Sequence, residues 1–277
     1  MCGIAVIATL SGAPVDTAAL DRMSAALTHR GPDQDGRGLY QGAALRAGLA
    51  SRRLSILDLS PAGRMPLTNE DGTLALVYNG EVYNHADLRG DLIARGHAYR
   101  SATDSETLVH AYEAYGLDFL TRLNGMFAFA LVDVPRDRLI LARDPMGIKP
   151  LYYHWDGERL LAASELGALL ASGLIPRALD TDALSVYLSL GYVASPYCLC
   201  AGVRKLEPAG ILILDADGLR LGSYWSPAES LHHLNGASVR DADWITETRS
   251  ALTGAVRRQL MSDVPVGVFL SGGLDST

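Results

Sequence analysis

The sequence predicts an α+β protein whose strands pair antiparallel. Three observations support this prediction: Gly3–Trp225 consists mostly of short apolar runs, tight turns separate these runs, and only a few segments have helical periodicity. Tight connections favour antiparallel pairing, because parallel strands need a long crossover. The length of 277 residues corresponds to about 1.8 average domains, which indicates one full domain and part of another.

Apolar and β-branched runs between turn residues predict the strands. In chain order, the predicted strand segments are Gly3–Leu10, one or two strands in Ala44–Leu57, Thr73–Tyr83, a hairpin over Met126–Leu141, and strand pairs around Asp156-Gly157 and Asp217-Gly218. Asn79-Gly80, inside the third run, is a strong hairpin signal, although its flanks do not alternate cleanly. The turn-rich segments His29–Gly38 and Ser60–Gly72 are predicted loops.

Apolar side chains at helical spacing predict five helices in the same region. They are Thr17–Thr28, Ala86–Arg95, Ser105–Arg122, Leu166–Leu170 and Thr181–Leu190. The third is the best marked: Thr103 and Glu106 have the spacing of a capping box, and an apolar stripe begins at Leu108.

The character of the sequence changes after Trp225. Residues 226–240 are polar and lack periodicity, which predicts a linker. A helix over Ile245–Met261, an apolar strand over Val264–Leu270 and the glycine-containing SGGLDST follow. We therefore expect a first domain over residues 2–225 and the beginning of a second over 241–277, within a longer protein.

Composition and charge exclude several classes of protein. Hydrophobic residues make up 48% of the chain, too many for an intrinsically disordered protein. The net charge of −7 argues against non-specific binding to nucleic acid or to anionic membranes. Only three cysteines occur, and neither an export signal nor a long apolar segment is apparent, so we expect a cytoplasmic protein.

Cys2 is the first candidate for chemistry. Removal of Met1 would leave a free α-amine on the same residue as the thiol. This amine titrates closer to neutrality than lysine, so it can act as the base for its own nucleophile. The alternative is a small buried residue at the start of a strand.

Other residues that often bind metals are interpreted as structural. Cys198 and Cys200 form C-x-C with no second ligand pair nearby, and His232-His233 lies in the predicted linker. The sequence analysis therefore predicts no metal site in the chain.

Eight segments together resemble the class II glutamine amidotransferases joined to an asparagine synthetase domain. In chain order they are MCGI, HRGPD, RRLSILDLS, YNGEVYNHADLR, TDSETLVHAYEAYG, LNGMFAFALVD, RDPMGIKPLYY and SGGLDS. The resemblance implies a four-layer αββα sandwich, the fold of N-terminal-nucleophile hydrolases, followed by the start of a parallel α/β ATP-pyrophosphatase domain.

The resemblance also implies a glutamine site. Cys2 would be the nucleophile, and the Asn79 amide and the Gly80 N–H would form the oxyanion hole. The implied glutamine-binding residues are Arg53 for the carboxylate, Glu81 and Asp104 for the ammonium, and backbone atoms of Leu54 and Ile56, besides Asn79 and Gly80. HRGPD resembles a loop that closes over glutamine, and RDPMGIKPLYY, with Lys149, is interpreted as a packing motif.

SGGLDS resembles the pyrophosphate-binding loop of ATP pyrophosphatases. Main-chain N–H groups and hydroxyls in such a turn can bind the phosphates of ATP. The implied ATP-binding residues are Phe269, Ser271, Gly272, Gly273, Asp275 and Ser276.

The function implied by the resemblance is glutamine-dependent asparagine synthesis. Glutamine would be hydrolysed to glutamate and ammonia, and the ammonia would amidate aspartate activated as aspartyl-AMP. ATP and Mg²⁺ would be co-substrates, no cofactor would be bound covalently, and a homodimer is compatible with this family. The alternatives are another carboxylate acceptor and a non-catalytic glutamine-binding domain; a sugar-phosphate amidotransferase is disfavoured by SGGLDS.

Overall fold

The computed structural model describes residues 1–228 and 241–274. Its helices are α1 Thr17–Ala26, α2 His85–Ala94, α3 Asp104–Tyr115, α4 Leu166–Ala171, α5 Thr181–Leu190 and α6 Asp241–Gln259. Its strands are β1 Gly3–Thr9, β2 Gln34–Gln41, β3 Arg46–Arg53, β4 Leu67–Thr68, β5 Leu74–Val82, β6 Gly125–Asp133, β7 Arg138–Arg143, β8 Tyr152–Trp155, β9 Arg159–Ala163, β10 Val203–Lys205, β11 Gly210–Asp215 and β12 Gly218–Ser223.

The strands form two six-stranded sheets in which neighbouring strands are antiparallel. The first sheet has the order β10-β8-β9-β1-β3-β2, and the second has the order β12-β11-β7-β6-β5-β4. Helices α1 and α4 pack on the first sheet, α3 packs on the second with α2 beside it, and β1 and β3 contact β5 between them. The predicted α+β class and its four-layer αββα arrangement are therefore confirmed.

The side chains of strand β1 pack on both faces of the first sheet. All seven of its residues are buried, because both faces of the strand are covered. Ile4, Val6 and Ala8 belong to the core between the sheets, whereas Ala5 and Ile7 pack with side chains from α1 and α4. This alternation follows from the two-residue period of a strand, and it explains why the run reads as continuously apolar.

The predicted helices are found with small changes at their ends. The Thr103 hydroxyl caps α3 by accepting from the Glu106 N–H at 3.4 Å. The Glu106 carboxylate does not complete the capping box, because it accepts from the N–H groups of Arg100 and Ser101 instead. Gly116 ends α3 at a positive φ of 58°, and the predicted helix continues as a 3₁₀ helix to Arg122.

One local turn signal is overridden and one predicted loop is wrong in part. Asn79-Gly80 does not form the hairpin turn that its sequence signals but lies inside β5, where the two residues pair with Ala128 and Phe127 of β6. The predicted loop His29–Gly38 is a loop only in its first part, because β2 begins at Gln34 and pairs along its whole length with β3. In both places cross-strand pairing outweighs the local preference of glycine, asparagine and aspartate for turns.

The C-terminal region differs from the prediction as well. Val264–Leu270 is not a strand, since none of the strands in residues 1–228 and 241–274 lies beside it to share main-chain hydrogen bonds. Most of the predicted linker, residues 229–240, lies outside the described residues. None of the described helices is both long and apolar enough to cross a membrane.

Substitution of Phe129 tests the assigned core of the second sheet. Its buried ring lies 5.9 Å from that of Phe119 and 5.8 Å from that of Phe127, measured between centroids. Phe129→Ala should lower the free energy of unfolding by about 3–5 kcal/mol in urea denaturation. Leu188→Ala, at a side chain that is 75% exposed on α5, should change it by less than about 0.5 kcal/mol. Equal losses for both variants would contradict the assigned core.

Candidate functional site

One cleft is lined by all eight residues predicted to bind or act on glutamine. Its lining includes Cys2, Arg53, Leu54, Ile56, Asn79, Gly80, Glu81 and Asp104. Cys2 precedes β1 and Arg53 ends β3, and the register Gly3↔Arg52 makes them neighbours in the first sheet. Residues 79–81 come from β5 of the second sheet, and Asp104 begins α3, so the cleft lies where the sheets meet.

The Cys2 thiol is held at the edge of this cleft. Its Sγ donates to the Leu54 carbonyl at 3.8 Å, while the Cys2 carbonyl accepts from Arg30 Nε at 2.9 Å. Burial raises the pKa of the thiol, and burial lowers the pKa of the Met1 amine beside it. The thiol therefore needs a base in order to become a nucleophile at neutral pH.

Arg53 is a buried cation that is satisfied by neutral groups. Its Nη1 donates to Gln34 Oε1 at 2.9 Å and to Ser55 Oγ at 3.2 Å; its Nη2 donates to the carbonyls of Leu57 and Asp58 at 2.6 and 2.9 Å. Across the residues that the structure describes, no carboxylate forms an ion pair with it. The guanidinium is thus fixed in place with its charge uncompensated, as a site for a carboxylate ligand requires.

Asn79 presents a donor to the cleft. The residue is almost fully buried, and its Nδ2 lacks a hydrogen-bond partner among the described residues. A buried amide donor without a partner costs free energy, which a ligand oxygen can recover. Packing between the strands requires a glycine at position 80. An added Cβ would overlap the Met126 carbonyl oxygen of β6.

The carboxylates of half-buried Glu81 and buried Asp104 both line the cleft. Asp104 Oδ2 accepts from the Tyr78 hydroxyl at 2.7 Å and from the Val82 N–H at 2.8 Å, whereas Glu81 Oε1 is buried without a partner among the described residues. Burial raises the pKa of both groups, and the Asp104 charge helps to raise that of Glu81 to about 8. A cationic ligand group would relieve this cost.

Two further residues contribute to the site although the sequence analysis did not include them. Lys149 is buried in the cleft lining, and burial lowers the pKa of its ammonium. The Lys149 N–H donates to Asp144 Oδ2 at 3.0 Å, and both residues belong to RDPMGIKPLYY. The motif that was interpreted as a packing motif therefore also places a cation in the cleft. Gly63 lies against the Arg53 guanidinium, where any added Cβ would clash.

The HRGPD segment is bonded to the cleft. Arg30 Nη1 forms an ion pair with Glu165 at 2.7 Å, and Asp33 Oδ2 accepts from the Ser55 N–H at 2.8 Å. The segment after α6 reaches the same rim: the Asp263 N–H donates to the Ile56 carbonyl at 3.0 Å.

The predicted ATP-binding residues are not brought together by the structure. Phe269, Ser271, Gly272 and Gly273 are exposed, and Asp275 and Ser276 lie outside the described residues. Cys198 and Cys200 are buried in the core beneath the first sheet, as a structural role requires. His232 and His233 lie outside the described residues.

Comparison with known families agrees with this geometry. The model of the glutamine amidotransferase domain family matches residues 1–225, which include every residue of the cleft. The chain belongs to this family. The asparagine synthase family model matches residues 247–277.

Curated relatives resemble the chain along most of its length. It is 39% identical to "Asparagine synthetase [glutamine-hydrolyzing] 3" of Bacillus subtilis, covering 93% of this chain and 41% of that protein. It is 35% identical to a putative asparagine synthetase [glutamine-hydrolyzing] 2 of Methanocaldococcus jannaschii, covering 100% and 56%. "Amidase chry2" of Gibberella zeae is 38% identical, covering 91% and 36%. The chain thus spans about half or less of the length of these relatives.

A solved structure shares the fold. Glutamine phosphoribosylpyrophosphate amidotransferase from B. subtilis superposes with a TM-score of 0.60 over 80% of this chain and 49% of that one. The sequence identity is 21%, so this likeness concerns the fold alone.

Proposed function

We propose that the cleft hydrolyses glutamine and that Cys2 is its nucleophile. The observation that supports this most strongly is the set of groups that line the cleft. They are the Cys2 thiol, the Arg53 guanidinium without an ion-pair partner among the described residues, the Asn79 amide donor without a hydrogen-bond partner among them, and two carboxylates. These groups complement the side-chain amide, carboxylate and ammonium of one amino acid. Asn79 and Glu81 come from β5, and Cys2, Arg53 and Asp104 come from three other segments of the chain.

Recognition of glutamine follows from charge. The Arg53 guanidinium binds the α-carboxylate, because its planar donors match a carboxylate in a bidentate manner. Asp104 and Glu81 bind the α-ammonium, whose charge favours their ionised forms. Backbone atoms of Leu54 and Ile56 complete the binding site beside Arg53.

The reaction has two chemical steps. After Met1 is removed, the Cys2 amine takes the thiol proton, and the thiolate attacks the carbonyl carbon of the glutamine side chain. The Asn79 Nδ2 and the Gly80 N–H stabilise the oxyanion. The C–N bond breaks, ammonia leaves with a proton from the amine, and water hydrolyses the thioester to glutamate. Closure of the HRGPD segment would retain the ammonia.

We further propose that the ammonia is used for asparagine synthesis. Residues 2–225 would be the glutaminase domain, 226–240 the linker, and 241–277 the beginning of the synthetase domain. The match to the asparagine synthase family and the curated relatives support this assignment. Aspartate would be activated by ATP and Mg²⁺ as aspartyl-AMP. The ATP-binding residues would be Phe269, Ser271, Gly272, Gly273, Asp275 and Ser276. The reaction would take place in the cytoplasm, because its reducing conditions are those in which the three cysteines of the chain stay free.

A second candidate acceptor is supported by one observation. The relative named "Amidase chry2" is 38% identical, about as similar to this chain as the asparagine synthetases. A different carboxylate would leave the glutamine cleft unchanged. Identification of the amide product distinguishes the two acceptors.

Arg53→Lys tests the binding of the carboxylate. The lysine keeps the charge but loses the planar fork, which removes about one charge-assisted hydrogen bond, or about 1.5–3 kcal/mol. The KM for glutamine should therefore rise about 10- to 100-fold in a glutaminase assay. Arg52→Lys is the matched control: Arg52 Nε donates to Ser24 outside the cleft, so its KM should not change. Equal effects in both variants would remove Arg53 from the site.

The carboxylate pair predicts how binding depends on pH. Its raised pKa values mean that protons compete with the glutamine ammonium at and below neutrality. The KM should therefore fall as the pH rises toward about 8, the pKa of Glu81. Steady-state kinetics of the wild type and of Glu81→Gln measure this, and the variant should have a flatter profile. A wild-type KM that rises over this range would contradict the assignment.

Cys2→Ala in the full-length protein tests the proposed function as a whole. Glutamine-dependent formation of AMP and asparagine should be abolished, because the other two cysteines are buried outside the cleft. Synthesis from an ammonium salt should continue, since ammonia bypasses Cys2. Loss of both activities in a folded variant would contradict a scheme with two separate sites.

A further inference from the structure

A second cluster of chemically active side chains lies away from the glutamine cleft. Glu70 comes from the turn between β4 and β5, His97 follows α2, and His110 and Glu113 lie one turn apart on α3. One ligand atom from each of the four residues lies within 4.8 Å of all the others. None of the four belongs to the lining of the cleft.

The distances among these groups are longer than those of strong ion-paired hydrogen bonds. His110 Nδ1 lies 3.4 Å from Glu113 Oε2 and 3.6 Å from Glu70 Oε2, and His97 Nδ1 lies 3.6 Å from Glu113 Oε2 and 3.9 Å from Glu70 Oε1. Ion-paired hydrogen bonds are shorter, at about 2.7–2.9 Å. A tetrahedron with metal–ligand distances of about 2.0–2.2 Å has edges of about 3.3–3.6 Å. Three of the four separations lie within this range, and His110 Nδ1 and Glu113 Oε2, at 3.4 Å, are also within hydrogen-bond reach of each other. The four side chains therefore surround a shared centre.

Surrounding groups orient these ligands. Glu70 Oε1 accepts from the Ala98 N–H at 2.8 Å, and Glu113 Oε1 accepts from Asn69 Nδ2 at 2.9 Å. The second ring nitrogen of His110, Nε2, lies 3.7 Å from Glu106 Oε1 and has no hydrogen-bond partner among the described residues. A carboxylate behind the distal nitrogen of a histidine is the usual arrangement around protein zinc sites, because it fixes the tautomer that ligates.

We propose that Glu70, His97, His110 and Glu113 bind one Zn²⁺ ion with tetrahedral geometry. Two imidazoles and two carboxylates are a ligand set that zinc accepts, and two ionised carboxylates neutralise its charge. His110 is buried, while Glu70 and Glu113 are partly exposed, so the ion has a route of entry. The ligands lie on α3, on the segment before β5 and on the segment after α2. A bound ion would therefore link α3 to the second sheet.

Titration of the metal-free chain with Zn²⁺ tests this proposal. After dialysis against a chelator, calorimetry and metal analysis should show one Zn²⁺ per chain. Substitution by Co²⁺ should give the visible spectrum of a tetrahedral nitrogen–oxygen site without thiolate charge transfer, which separates this site from the three cysteines.

Variants locate the ion. Glu113→Gln and, independently, His97→Gln should each raise the Kd for Zn²⁺ at least about tenfold while circular dichroism shows a folded protein. Glu158→Gln, at an exposed residue, and the double variant His232→Gln/His233→Gln should bind as the wild type does. Absence of Zn²⁺ binding, binding unchanged in both cluster variants, or binding lost in the His232/His233 double variant would overturn the proposal.

Discussion

The face-to-face packing of two antiparallel sheets is the constraint on which the candidate site depends. Cys2 and Arg53 are adjacent in the first sheet because β1 and β3 pair in the register Gly3↔Arg52. Residues 79–81 approach them from the second sheet because β1 and β3 pack on β5. A shift of this register by one residue would turn the alternating side chains of β1 to the opposite face, so the buried pattern of that strand also fixes the chemistry of the cleft.

The second determinant is buried charge that the protein leaves partly uncompensated. Arg53 and Lys149 are buried cations, Asp104 is a buried carboxylate and Glu81 is a half-buried one. Among the described residues no ion pair joins these cations to these carboxylates. Withdrawing such charges from water costs on the order of several kcal/mol per ion. Hydrogen bonds offset this cost for Arg53 and Asp104. A zwitterionic ligand would compensate the remainder, so the electrostatic cost of the empty cleft favours binding.

Much of this could be predicted from the sequence, for identifiable reasons. The helices and most strands up to Trp225 follow from periodicity, whereas β2, β4 and β10 were not predicted. The site residues follow from motifs that resemble a known family. The hairpin signal of Asn79-Gly80 is not realised, because its local turn preference is weaker than nine residues of cross-strand pairing. The prediction of a strand over Val264–Leu270 is wrong, because a strand needs a neighbouring strand to share its hydrogen bonds, and local composition does not reveal one. Lys149 and the Glu70 cluster were missed because their neighbours are distant in sequence; His110 and Glu113 alone share a helix turn.

The most direct test of the central claim is covalent labelling with a glutamine analogue that carries a diazoketone in place of the side-chain amide. Peptide mapping by mass spectrometry then locates the adduct. The account predicts one adduct per chain, on Cys2, in molecules whose first residue is Cys2 because Met1 has been removed, and free glutamine should protect against labelling. An adduct on Cys198 or Cys200, or efficient labelling of chains that retain Met1, would contradict the assignment of Cys2 as a nucleophile activated by its own amine.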